Sequence, residues 1–68
     1  MSPNELIERY QAAFAQCNPH RRLPDIRYVN GWFRFYSEIG IPSSGYRRVD
    51  FVGLTKTLET RAITAVAH

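Results

Sequence analysis

The dipeptide Asn30-Gly31 leaves this chain few ways to fold. It sits between Asp25-Ile26-Arg27-Tyr28-Val29 and Trp32-Phe33-Arg34-Phe35-Tyr36. Both residues tolerate positive φ, which the two central positions of a type I′ turn require, and both flanks are rich in β-branched and aromatic residues. A hairpin is expected, and a two-residue turn sets its register. Val29 then lies opposite Trp32, Tyr28 opposite Phe33, Arg27 opposite Arg34, Ile26 opposite Phe35 and Asp25 opposite Tyr36. Alternation along a strand divides these residues between two faces. Ile26, Tyr28, Phe33 and Phe35 form a core face. Asp25, Arg27, Val29, Trp32, Arg34 and Tyr36 form a face that cannot be core. A three-residue loop would place Arg34 opposite Ile26 and mix the two sets, so the separating register is preferred.

The segments on either side read as helices. Ser2-Pro3-Asn4-Glu5 is a helix start, with Ser at the N-cap, Pro at the first helical position and Glu three residues after the cap. Leu6, Tyr10, Ala13, Phe14 and Cys17, widened by Ile7, then recur at three- and four-residue spacing. Asn18-Pro19 ends this helix, because the residue before proline resists the α conformation. A helix over 3–17 is expected, followed by a polar connection through His20, Arg21 and Arg22. After the hairpin, Ser37 to Gly45 is a loop by its Gly, Pro and Ser content. Its Ile39 and Ile41 either tuck under the sheet edge or stand exposed as a contact.

Tyr46-Arg47-Arg48-Val49 admits two readings. It is a short third strand with Asp50 capping the next helix, or the helix already starts near Ser44. Asp50 is a good cap and Val49 suits a strand, which favours the strand. From either start Phe51, Leu54, Leu58, Ala62 and Ala65 or Val66 make a helical apolar stripe. Gly53 and the threonines at 55, 57, 60 and 64 lower intrinsic helicity, so this helix must depend on packing, and residues 63–68 are expected to fray. The result is an α+β domain of two layers: helix, antiparallel β-hairpin with a possible short third strand, helix. The apolar stripes of both helices are expected to cover the Ile26/Tyr28/Phe33/Phe35 face.

Size and composition narrow the function. Sixty-eight residues make a single domain, and a chain of this length buries only about 60% of the surface its unfolded form exposes. The single cysteine, Cys17, forms no internal disulfide, so reinforcement would come from a ligand or a partner subunit, a homodimer being one form of it. A lone cysteine, no signal peptide or lipidation motif after Met1, and no apolar run of membrane-spanning length lead us to expect a soluble cytoplasmic protein without a membrane partner.

Catalytic equipment is sparse. Cys17-Asn18-Pro19-His20 has a spacing a metal could use, but a structural zinc needs four ligands and only His68 remains to help. As a nucleophile–base pair it lacks an orienting third group. We find no Gly-rich phosphate loop, no Gly-x-Ser-x-Gly and no carboxylate pair at helical spacing on a concave wall. Glu5 and Glu8 read as charges favoured by the helix dipole. The expectation is a non-enzyme without a cofactor.

What remains is Arg27, Trp32, Arg34 and Tyr36 on one hairpin face, with Arg47 and Arg48 on an adjacent strand if one forms. Eight of the nine basic residues are Arg, and six acidic residues oppose them. Arginine interleaved with exposed rings suits nucleic acid, pairing with phosphates while rings stack on bases. The same set suits an acidic protein surface, since Trp, Tyr and Arg are the enriched anchors of protein interfaces. The plain alternative is a solvated face, with Asp25 beside Arg34 and an arginine stacked on Trp32. Two functions are therefore expected from these residues: a nucleic-acid-binding module, or a protein-interaction adaptor or inhibitor using the same face or the Ile39/Ile41 loop.

The turn carries its own test. Gly31→Val places a β-branched residue at positive φ and should lower stability by about 1–3 kcal/mol, read as a lower urea midpoint. An unchanged midpoint would rule out a left-handed residue at this position.

Overall fold

The computed structural model describes residues 2–43 and 45–66 and runs helix α1 (Pro3–Cys17), strand β1 (Asp25–Val29), strand β2 (Trp32–Tyr36), helix α2 (Arg48–Val66). The first helix starts as its sequence dictates. Ser2 is extended and its hydroxyl accepts the Glu5 N–H at 3.3 Å. At the other end the Asn18 N–H and side-chain amide both donate to the Phe14 carbonyl, at 2.8 and 3.3 Å, so an exposed carbonyl of the last turn is satisfied.

The hairpin has the register expected from its turn, from Val29↔Trp32 to Asp25↔Tyr36. Asn30 and Gly31 both take positive φ, 51° and 83°, as a type I′ turn demands. The outer edge of β2 is also paired. Phe33 and Tyr46 exchange N–H···O bonds of 2.8 and 2.9 Å, and the Ser43 N–H donates to the Phe35 carbonyl at 2.7 Å. Bridges at Tyr36↔Pro42 and Phe33↔Tyr46 enclose three steps on β2 but four on the facing segment, so that segment carries a bulge. The third strand expected over Tyr46–Val49 is thus reduced to Tyr46 alone. Arg48 and Val49 belong to α2, and the Arg47 carbonyl already accepts the Phe51 N–H at 2.9 Å. Asp50 accordingly lies in the first turn and is not the cap, still at the helix end that favours negative charge. The alternative start at Ser44 falls outside the described residues.

The core forms where hairpin and helices meet. Leu6, Ile26, Phe33 and Phe51 are buried, with Ile7, Tyr10, Phe35 and Val52 packed against them. Phe33 and Phe51 are stacked with centroids 4.3 Å apart and an interplanar angle of 2°. Tyr10 stacks on Phe51 at 5.4 Å and meets Phe35 edge-on at 5.3 Å. Ile26, Phe33 and Phe35 therefore behave as the core face requires. Tyr28 does not: its ring touches Phe33 at 4.7 Å, yet the residue is 41% exposed. It overhangs toward the turn, where Val29, Asn30, Gly31 and Trp32 are exposed as well and no helix reaches.

Two further expectations are corrected in α2. Its buried positions include Phe51, Thr55 and Ala62, whereas Leu54 is exposed. Phe51 and Ala62 are buried as the stripe requires and Leu58 is half-buried, so only the Leu54 position gives way, to its neighbour Thr55. Thr55 is tolerated inside because its hydroxyl donates to the Phe51 carbonyl at 2.8 Å. The helices also pack against each other. Tyr10 contacts Phe51, Arg9 meets Glu59 and the Cys17 thiol reaches the Leu58 carbonyl at 3.8 Å. α2 is helical through Val66, so the fraying expected from Ile63 is not seen up to that residue. The side chains of Ala65 and Val66, and residues 67–68, lie outside what is described.

Phe33 is fully buried, so Phe33→Ala should cost about 3–5 kcal/mol, comparable to the whole stability of a domain this size. We expect its cooperative thermal transition, followed by circular dichroism, to disappear. Half-buried Phe35→Ala should lower the transition less. A Phe33→Ala protein melting near the parent would refute this packing.

Candidate functional site

The strand period places Asp25, Arg27, Val29, Trp32, Arg34 and Tyr36 on the hairpin face turned away from the core. Arg27 is held twice there. Its guanidinium donates to the Asp25 carboxylate from Nε at 3.4 Å and from one terminal nitrogen at 3.2 Å. Its central carbon stands 4.5 Å over the Tyr36 ring, the diagonal neighbour on the facing strand. The guanidinium of Arg34, directly opposite Arg27, has no hydrogen bond or ion pair with any described residue. Asp25 thus serves Arg27 and leaves Arg34 without an acidic partner.

Trp32 occupies the other end of the face. The guanidinium carbon of Arg47 lies 5.4 Å over its ring. Gly45 lies against the indole so closely that a Cβ there would stand 3.0 Å from both Cβ and Cε3 of Trp32. Trp32 keeps 37% of its surface exposed. Arg47 is therefore joined to Arg27, Trp32, Arg34 and Tyr36, although the strand expected to carry it does not form. Arg48, the first residue of α2, is exposed, and no contact brings it to this face. The partnership of Gly45 and Arg47 with Trp32 was hidden from sequence reasoning, because it depends on the bulged segment returning along β2.

Charge is segregated between the two halves of the molecule. Six of the eight arginines (Arg21, Arg22, Arg27, Arg34, Arg47 and Arg48) fall between 21 and 48, against Asp25 and Glu38. Arg22 and Glu38 meet at 3.6 Å with both side chains largely exposed. The rest of the chain carries three basic residues, Arg9, Lys56 and Arg61, against four acidic ones, Glu5, Glu8, Asp50 and Glu59. Here Arg9 grips the Glu59 carboxylate through two nitrogens, at 3.1 and 2.5 Å. That bond raises the Arg9 guanidinium and holds the Glu59 carboxyl below the usual range. Burial pushes the Tyr10 phenol up.

Two other surface features stand apart from this face. Ala12, Ala13, Gln16, Ala62 and Ile63 line a shallow groove between the helices beside the Arg9–Glu59 pair. Ile39 and Ile41 project from a tight turn, 80% and 59% exposed, so they do not tuck under the sheet. Ser37 ties that turn, donating its N–H to the Ile41 carbonyl at 2.9 Å and accepting the Gly40 N–H at 2.9 Å. Cys17 packs against α2 while His20 is exposed in the following connection, and His68 lies outside the described residues. Comparisons with protein-family models, with curated proteins and with solved structures return no match for this chain.

Gly45→Val should push the indole outward, with an overpacking cost of about 1–3 kcal/mol. The expected result is a lower melting temperature together with a red shift of Trp32 emission. Unchanged emission would mean that Gly45 does not seat the ring.

Proposed function

We propose that the protein is a small non-enzymatic module that binds nucleic acid through Arg27, Trp32, Arg34, Tyr36 and Arg47, with Arg48 flanking. The observation that carries this reading is Arg34: a half-exposed arginine opposite a second arginine, without an acidic partner among the described residues, in the half of the molecule where arginine outnumbers acid six to two. Like charges placed directly opposite each other cost stability, a few tenths of a kcal/mol once screened by salt. A phosphate between the two guanidinium forks turns that cost into attraction, because both can donate to its oxygens. Release of the counterions condensed on the polyanion adds the remaining drive.

A second reading has its own observation. Ile39 and Ile41 stand exposed on a braced turn, and an apolar protrusion of that kind suits a protein partner. Salt separates the two readings. Neutralised phosphates give affinity that falls steeply with salt, whereas an apolar contact changes little.

Replacing both hairpin arginines, Arg27→Gln with Arg34→Gln, should leave the melting temperature equal or slightly raised. Binding to labelled oligonucleotides, followed by anisotropy at two salt concentrations, should weaken, and the slope of log affinity against log salt should fall by about two. If the parent binds neither single- nor double-stranded oligonucleotide at low salt, the nucleic-acid reading ends, and the Ile39/Ile41 turn becomes the surface to test.

A further inference from the structure

Resting on that reading, we infer that this face takes the phosphate backbone of a nucleic-acid double strand and leaves the bases unread. Proteins that hold single strands offer open aromatic faces on which successive bases stack. Each ring here already carries a guanidinium on a face. Arg27 lies over Tyr36 at 4.5 Å, and Tyr36 is itself half-buried. Trp32 has Arg47 over its ring at 5.4 Å and the backbone of Gly45 packed against it. A base could stack only by displacing a guanidinium that already occupies the position.

The same arrangement favours phosphate. A guanidinium lying over a ring uses its flat face for the contact and keeps its N–H groups in the plane, directed sideways, toward phosphate oxygens; on Arg27 the Asp25 carboxylate takes the Nε edge, leaving the outer terminal nitrogens for phosphate. The rings thus act as platforms that orient two arginines, with Arg34 between them. Arginine can read guanine edges, but the guanidinium groups of Arg27 and Arg47 are held over rings, and the outer hairpin face carries no Asn, Gln, Ser or Thr, the types that read adenine and assist elsewhere. Its one carboxylate, Asp25, is engaged by Arg27. Binding should therefore be indifferent to base sequence and follow backbone charge.

The experiment compares three labelled oligonucleotides of equal length against the parent protein: mixed-sequence duplex DNA, mixed-sequence duplex RNA and single-stranded oligo-dT. Trp32 is the chain's one tryptophan, so its emission reports directly on the face. We expect at least one duplex to bind several-fold more tightly than the single strand, and the tighter duplex names the form of nucleic acid. Emission at saturation should be nearly unchanged, and shuffling the duplex sequence should leave affinity within about twofold. Tighter binding to oligo-dT with strong quenching of Trp32, or a clear sequence preference, would overturn the inference while leaving the nucleic-acid reading intact. Binding to none of the three would end both.

Discussion

The parallel contact between Phe33 and Phe51, 4.3 Å between centroids, is the joint on which the rest of the structure depends. Phe33 is the point where both strands, the Tyr46 segment and α2 meet. It is paired with Tyr28 on one strand edge, bridged to Tyr46 on the other, and covered by α2 through Phe51. Tyr10 of α1 then lies against the other face of the cluster, touching both Phe51 and Phe35. A chain of this length has little apolar area to bury. It concentrates that area in interlocked rings, which contribute more than their buried surface alone.

That joint also explains how a weak helix persists. α2 contains Gly53 and four threonines, residues that disfavour helix in isolation. The threonine hydroxyls at 55, 57, 60 and 64 each donate to the carbonyl four residues back, at 2.8 to 3.1 Å. Their polar groups are thereby satisfied inside the helix, and Thr55 can be fully buried without an orphaned donor. What holds α2 in place is tertiary: Phe51 on Phe33 at one end, and Glu59 in the fork of Arg9 further along. Ala13 and Ala62, both buried along the same groove, let the two helices approach closely.

The strand period links this core to the candidate site. Because successive side chains alternate, burying Ile26, Phe33 and Phe35 leaves Arg27, Trp32 and Arg34 no choice but the opposite face. Stability and the arginine face are two consequences of one register. The aromatic residues divide accordingly. Phe33, Phe35 and Phe51 fill the interior, while Trp32 and Tyr36 lie under arginines. Those stacked pairs hold side chains that would otherwise sample many rotamers, so the guanidinium groups of Arg27 and Arg47 are already oriented.

The features legible from sequence were those encoded within a few residues. The α1 start at Ser2-Pro3, its end at Asn18, the turn at Asn30-Gly31 and the hairpin register all follow from cap chemistry, positive φ and a period of two. Each concerns neighbours in the chain, and so does the division of hairpin side chains between two faces. Of the site, Arg27, Trp32, Arg34 and Tyr36 were legible for the same reason. Tertiary structure decided the rest. It set the α2 start at Arg48 instead of Asp50, the burial of Thr55 instead of Leu54, and the exposure of Tyr28 beyond the reach of either helix. It also gave Asp25 to Arg27 and placed Arg47 over Trp32. These outcomes rest on pairs distant in sequence: Phe33 with Phe51, Arg9 with Glu59, Trp32 with Gly45 and Arg47. Local patterns restrict which face a residue can present, but only packing between elements chooses which surface covers it.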